Sequence, residues 1–154
     1  MFMNTIPGIG CLTFVLATHV FAQQTQPIQI QVLTQTTKSW DGSALPNYPR
    51  SKPEITIKRF KIEPGAMLPC NKHPFINAGV VLQGELKIVT QDQKTLHIKA
   101  GDPLVETVNE WHYGVNEGTE VAEVIIVYAG KPGKPVSVSG NVDQCTFTTG
   151  TSSK

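Results

Sequence analysis

The sequence lacks the charge that marks several functional classes. Of its 154 residues only 16% are charged, and the formal net charge is +1. Because globular chains usually carry about 25% charged residues, a chain this poor in charge is neither a charge-rich disordered protein nor a coiled coil. Without an excess of one sign it also lacks the long-range field that holds nucleic acid or an anionic membrane surface. We therefore expect no nucleic-acid partner, and no membrane contact once a signal peptide is removed.

Common catalytic motifs are also missing. The chain has no Gly-x-Ser-x-Gly, no Cys-x-x-Cys and no phosphate-binding loop, so no sequence motif supplies a nucleophile paired with a base. Histidine is scarce, with four in the whole chain. Any chemistry therefore depends on a small number of side chains.

The beginning of the chain has the pattern of a secretory signal. No Lys, Arg, Asp or Glu precedes Lys38, and an apolar run at residues 11–17 is followed by Val-Phe-Ala and then by polar residues. This favours cleavage after Ala22. A transmembrane anchor would need about 20 consecutive apolar residues, and a lipoprotein site at Cys11 would be followed by a polar linker. We predict a signal peptide at residues 1–22 and a periplasmic or secreted protein.

The chain beyond the signal peptide is predicted to form one domain at residues 23–139. Residues 140–154 are rich in Thr, Ser and Gly, so we expect a flexible C-terminal tail. Cleavage leaves Cys70 and Cys145, which can pair in an oxidising compartment. The alternative is that each is a small buried apolar residue or a free thiol.

The hydrophobic pattern predicts an all-β fold. Apolar and polar residues alternate at residues 28–33, 85–88 and 95–99, which is typical of half-buried strands. No window of ten or more residues shows a clean helical stripe, and turn residues separate the strands. Short strands with spacings of about 8–12 residues indicate a sandwich or a barrel.

One predicted strand, residues 55–62, is irregular. Its apolar residues change parity between Ile57 and Phe60, and a β-bulge near Lys58 and Arg59 would restore a single buried face. The alternative is that Arg59 points inward and meets an anionic ligand. We favour the bulge, because an unpaired buried Arg is costly. His97 lies on the polar face of its own strand, so we expect it at the surface.

Two further histidines stand inside glycine-bounded segments with regular spacing. The first segment consists of Gly65, Asn71, His73, Asn77 and Gly84. The second consists of Gly101, Thr107, Asn109, His112 and Asn116. These spacings resemble the two motifs of the cupin family, and the resemblance covers about residues 54–130. It implies a single jelly-roll β-barrel with a metal ion inside, held in the family by three His and one Glu.

The sequence departs from the family motifs at four positions. Asn71 stands where the first His is expected and Asn77 where the Glu is expected, while Thr107 and Asn109 replace the Pro and Gly of the second motif. The resemblance therefore implies a weakened metal site made of His73, His112, Asn71 and Asn77. Imidazoles suit Mn, Fe, Ni, Cu and Zn, so we expect one divalent transition metal. At about 2.5–4 kcal/mol per ligand, two imidazoles give a dissociation constant between roughly 200 μM and 1 μM.

Three functions remain open from the sequence. The first is a metal-dependent oxidoreductase or isomerase that acts on a small molecule, with His73 and His112 as ligands. The second is a metal-free module that binds a small polar ligand without catalysis, which the two Asn residues at ligand positions favour. The third is a structural protein, such as a homodimer, in which the Val- and Ile-rich residues 121–127 lie in a core or an interface.

Overall fold

The structure is a computed structural model that describes residues 28–141 and 144–145. The predicted signal peptide and most of the predicted tail lie outside these residues, so both stay predictions. The chain divides into one unit that ends at Gln31 and another that starts at Val32. No helix within the described residues is long and apolar enough to cross a membrane.

The second unit consists of β-strands. They are β1 (Glu54–Ile62), β2 (Asn71–Lys72), β3 (Asn77–Gln83), β4 (Glu85–Thr90), β5 (Thr95–Lys99), β6 (Pro103–Val105), β7 (His112–Val115), β8 (Ala122–Gly130) and β9 (Val138–Ser139). A four-stranded sheet has the order β1-β8-β3-β6, and a five-stranded sheet has the order β5-β4-β7-β2-β9. The pairs within both sheets are antiparallel. The all-β, jelly-roll-like fold is therefore confirmed.

The alternating segments that the sequence places around residues 85–99 form a regular hairpin. β4 pairs with β5 so that Leu86 lies opposite Ile98, and both side chains are buried. The polar residues between them point outward, and His97 is exposed as predicted. Alternation predicts a strand correctly here because each strand has a neighbour and one face has a core to pack against.

Two predictions about strands are wrong. Residues 28–33 form no strand, and Ile28 and Ile30 are 92% and 89% exposed. Alternation alone did not produce a strand there, because the segment has no pairing partner among the described residues. The predicted bulge near Lys58 is also absent, since β1 pairs with β8 without a shift in register from Glu54 to Ile62.

The regular register of β1 decides which of its side chains face inward. Lys58, Phe60 and Ile62 line an internal cavity, whereas Ile57 is 66% exposed on the outer face. The alternative prediction, that Arg59 points inward, is wrong as well: its side chain is 59% exposed and its Nη1 atom pairs with Glu123 at 2.9 Å. The strand therefore leaves apolar residues outside and carries one cation, Lys58, on its inner face.

Side chains from both sheets form one hydrophobic core. Its buried members are Ile62, Val81, Leu86, Ile88, Ile98, Leu104, Ala122, Val124, Ile126 and Tyr128. β3 and β8 approach very closely at Gly79, where a Cβ atom would lie 2.1 Å from the carbonyl oxygen of Ile125. Only glycine fits between the two backbones at that point.

The C-terminal part of the described chain is tied to the five-stranded sheet. We call residues 136–141 together with 144–145 the strap. Its strand β9 pairs with β2, and the Gly140 N–H donates to the Cys70 carbonyl oxygen at 2.9 Å. A disulfide joins Cys70 to Cys145, with their Cα atoms 5.8 Å apart. The pairing left open by the sequence is thus present in the structure, inside the segment predicted as a tail.

Candidate metal centre

Three buried side chains converge at one end of the internal cavity. His73 directly follows β2, Glu106 directly follows β6, and His112 begins β7. Glu106 Oε2 lies 2.6 Å from His73 Nε2 and 3.6 Å from His112 Nε2. One ligand atom from each of the three residues lies within 4.8 Å of the other two. This spacing allows a single cation to contact all three.

Backbone carbonyl groups fix both imidazole rings. His73 Nδ1 lies 3.1 Å from the Val136 carbonyl oxygen in the strap, and His112 Nδ1 lies 2.9 Å from the Glu110 carbonyl oxygen. Because a carbonyl oxygen only accepts, each Nδ1 carries a hydrogen and donates it. In a neutral ring the unprotonated nitrogen is then Nε2, which faces Glu106. This is the arrangement that orients histidine as a metal ligand.

Hydrogen bonds to Asn77 of β3 and from Ser39 hold the Glu106 backbone in place. Its N–H donates to the Asn77 carbonyl oxygen at 3.2 Å, which continues the pairing of β6 with β3 by one residue. Its own carbonyl oxygen accepts a hydrogen bond of 2.9 Å from the buried Ser39 hydroxyl. The carboxylate is therefore delivered by a fixed backbone rather than by a free loop.

One atom of this group has only the two imidazoles as partners. Glu106 Oε2 is buried, and no hydrogen bond of standard geometry reaches it, yet it lies 2.6 Å from His73 Nε2. When both rings are neutral with the hydrogen on Nδ1, the facing nitrogen and oxygen both carry lone pairs and repel each other. Either a proton on an Nε2 atom or a metal ion bound by all three side chains removes that repulsion. The donor set therefore fits a metal ion.

The charges of the group depend on one another. Burial alone would raise the pKa of the Glu106 carboxyl, but the adjacent His112 and His73 side chains lower it to about 2. Burial likewise opposes the charged form of His112, yet contact with Glu106 and the Glu110 carbonyl raises its pKa above the usual 6.5. The carboxylate thus stays ionised, and without a metal it favours a proton on His112.

The structure brings together two of the four predicted metal ligands, His73 and His112. Asn71 lines the same cavity, but its Nδ2 donates to the Pro69 carbonyl oxygen at 2.8 Å. Asn77 is 1% exposed and does not line the cavity, and its Oδ1 is buried without a partner. That Asn71 and Asn77 bind the ion therefore stays a prediction.

Sequence reasoning missed Glu106, which lies one residue before Thr107 of the second motif. The sequence held a signal for it: Leu104 is apolar, and residues two apart on an extended chain share a face, so Glu106 is expected on the same side as Leu104. The replacement of the motif's Gly by Asn109 also has a physical reason. Asn109 has a φ of 62°, in the left-handed region that Asn tolerates better than most residues.

The cavity beyond the three ligands is small and mostly apolar. Its volume is about 180 Å³, and apolar groups, both aliphatic and aromatic, form most of its wall. The polar groups that line it besides His73, Glu106 and His112 are Lys58, Asn71, Tyr128, Ser137 and Ser139. A small molecule in this space would lie against the metal ligands.

A family model described as Cupin domain matches residues 58–128, which include all three converging side chains. Residues 58–128 therefore form a cupin domain. A comparison with curated protein sequences finds no match.

Solved structures with this fold are only distantly similar to the cupin described above. An uncharacterised conserved protein with a double-stranded β-helix domain from Klebsiella pneumoniae is 20% identical, with a TM-score of 0.50; the match covers 64% of this chain and 82% of that one. An oxalate decarboxylase is 22% identical with the same score of 0.50, over 55% of this chain and 23% of that one. The cupin domain of Schizosaccharomyces pombe Cnp3 is 16% identical, with a TM-score of 0.47, over 57% and 64%. This cupin thus spans about a quarter of the oxalate decarboxylase, and these likenesses concern the fold.

Proposed function

We propose that this cupin binds one divalent transition metal through His73 Nε2, His112 Nε2 and the Glu106 carboxylate, and that it is a metal-dependent enzyme for a small molecule. The observation that carries the proposal is that a buried Glu106 carboxylate oxygen and two imidazole Nε2 atoms converge, while both rings are held in place through Nδ1. Two imidazoles and one carboxylate are the donors of non-haem Fe(II) sites, which favours oxidoreductase chemistry over isomerisation.

A metal ion in this site would supply a Lewis acid with positions left open toward the cavity. The residues of the chain have separate tasks. His73 and His112 hold their Nε2 atoms toward the ion because Val136 and Glu110 accept from Nδ1. Glu106 offsets one positive charge. The apolar part of the wall shapes the space in which a substrate lies.

A third ligand raises the expected affinity. At about 2.5–4 kcal/mol per ligand, three ligands give a dissociation constant between roughly 3 μM and 2 nM, tighter than two imidazoles alone. Calorimetric titration of the metal-free protein with Mn, Fe(II), Ni, Cu and Zn tests this, with one ion bound per chain as the expected result. His112→Ala and Glu106→Gln should each weaken binding by roughly 70- to 800-fold.

Two matched variants serve as controls. Glu63→Gln removes an exposed carboxylate and His97→Ala an exposed imidazole, so neither should change the affinity. Absence of binding at millimolar metal, or equal binding by all variants, would reject the metal proposal. The cavity would then belong to a metal-free binding module.

We also propose that the protein is exported. The pairing of Cys70 with Cys145 supports this, because disulfides persist mainly in oxidising compartments. Expression of the full chain in a bacterial host, followed by mass spectrometry of the periplasmic fraction, tests it. A protein that begins at Gln23 is expected, whereas an uncleaved chain confined to the cytoplasm would contradict the proposal.

A further inference from the structure

We propose that Lys58 binds the anionic group of a ring-sized organic monocarboxylate whose apolar body fills the cavity. The inference deepens the proposed function, since it names the class of substrate for the same site. The anion site can be tested without the metal, because Lys58 lies on β1, whereas the three proposed metal ligands follow or begin other strands.

Lys58 is an inward-facing cation without a protein counter-ion. It lines the cavity, and no carboxylate of the described residues lies within 4.0 Å of its Nζ atom. Its neighbours on the outer face of the same strand differ in this respect. Arg59 and Lys61 both pair with Glu123, at 2.9 and 3.5 Å. The one cation of this stretch that faces the cavity is thus the one left to bind a ligand.

The charge of the cavity wall favours an anion. With a divalent ion bound and both imidazoles neutral, the ion carries two positive charges and Lys58 carries one. Glu106 carries the single negative charge, so the cavity wall has an excess of two positive charges. Tyr128 does not offset this excess, because burial and the nearby Glu106 raise the pKa of its phenol and keep it neutral. An apolar wall strengthens the attraction, since it screens charge poorly.

The size of the space limits the rest of the ligand. The cavity holds about 180 Å³, and apolar cavities of about 150 Å³ accept benzene. Lys58 Nζ and the His73 ring each lie 5.3 Å from the centroid of the Tyr128 ring. Lys58 and His73 therefore both adjoin the Tyr128 ring, and a ligand built on a single ring that packs on this part of the cavity wall can reach the ammonium group and the metal ligands. The single ammonium group of Lys58 matches one carboxylate, and the remaining excess charge belongs to the bound metal ion.

Benzoate and benzamide are suitable probes, because they have nearly the same shape and differ in charge. We would titrate each by calorimetry into metal-loaded protein and into protein treated with EDTA. Benzoate should bind metal-loaded protein roughly 10- to 100-fold more tightly than benzamide, as expected for a charge-assisted contact. The preference should be smaller but still present without metal.

Three variants of β1 assign the effect to one side chain. In EDTA-treated protein, Lys58→Met should reduce benzoate binding to the level of benzamide and leave benzamide binding unchanged. In metal-loaded protein, Lys58→Met should reduce the preference for benzoate to the smaller part that the metal charge provides. Lys58→Arg should retain the preference, which shows that the site still folds. Lys61→Met, on the outer face of the strand, is the matched control and should change neither affinity.

Equal binding of the two probes, no loss in Lys58→Met, or no binding of either probe at millimolar concentration would overturn the inference. Metal affinity, measured on the same preparations, shows whether the Lys58 inference and the proposed metal site fail together or separately. If metal binds but the probes are not distinguished, the Lys58 inference fails alone. If no metal binds and Lys58 still selects benzoate, the metal proposal fails and the anion site stands.

Discussion

Breaking the Cys70–Cys145 disulfide should loosen the strap and, through it, the metal centre. The bond closes a loop across a sequence separation of 75 residues. In the chain-entropy description, a loop of that length corresponds to about 4.5 kcal/mol of stability. For a chain of this size, that loss lowers the melting temperature by roughly 9–18 °C. Cys145→Ser is the direct perturbation, and calorimetric melting is the measurement.

The same variant should weaken metal binding, because the strap carries the Val136 carbonyl oxygen that accepts from His73 Nδ1. Loss of such an orienting partner typically reduces metal affinity by about 10- to 100-fold. Oxidised wild-type protein, wild-type protein reduced with a phosphine that is removed before the titration, and Cys145→Ser should be compared by melting and by metal titration. The last two should behave alike, and Cys145→Ser should not respond to the phosphine treatment.

Unchanged melting and unchanged metal affinity after reduction would refute this reasoning. A loss of stability with full retention of metal affinity would show that the strap stabilises the fold without orienting His73. The stability and affinity measurements therefore test the two halves of the argument separately.

Three other predictions follow from the structure. In metal-free protein the raised pKa of His112 contributes stability that is fully present below pH 6.5 and is lost as the pH rises through the raised value. The lowered pKa of Glu106 contributes stability that is fully present above pH 4.5 and is lost as the pH falls toward about 2. Urea unfolding with EDTA should show a maximum between these limits, and a flat profile from pH 5 to 8 would contradict it. Ser39→Ala removes the donor to the Glu106 carbonyl and should lower the free energy of unfolding by about 1 kcal/mol, against no change for the exposed Ser51→Ala. Gly79→Ala should cost about 3 kcal/mol in guanidinium unfolding, because its Cβ atom would meet the β8 backbone, and wild-type stability would refute that packing.

The parts of the fold that the sequence predicts well are those with a regular period and a partner. Leu86 and Ile98 alternate with polar neighbours and pair as expected. The segment with Ile28 and Ile30 has the same pattern and forms no strand. Periodicity shows which face of a strand could be buried, but it does not show whether a partner strand exists.

The site residues show the same limit: local patterns predict some of them, but not those that depend on which strands pair. The spacing of glycines around His73 and His112 predicts the two imidazoles that the structure brings together, because motif spacing reflects turns between paired strands. It does not predict Glu106, since the carboxylate reaches the site through the pairing of β6 with β3, a contact between segments far apart in sequence. The inward position of Lys58 was missed for a related reason: its strand turns a cation toward the cavity and exposes Ile57, against the usual preference.

The central claim is that one metal ion contacts His73, Glu106 and His112. A crystal structure of the metal-loaded protein, with anomalous diffraction recorded at the absorption edge of the added metal, tests it most directly. The account predicts one strong anomalous peak per chain within about 2.0–2.2 Å of both Nε2 atoms and of a Glu106 carboxylate oxygen. No peak at this position in protein soaked with millimolar metal, or a peak bound only by other residues, would contradict it.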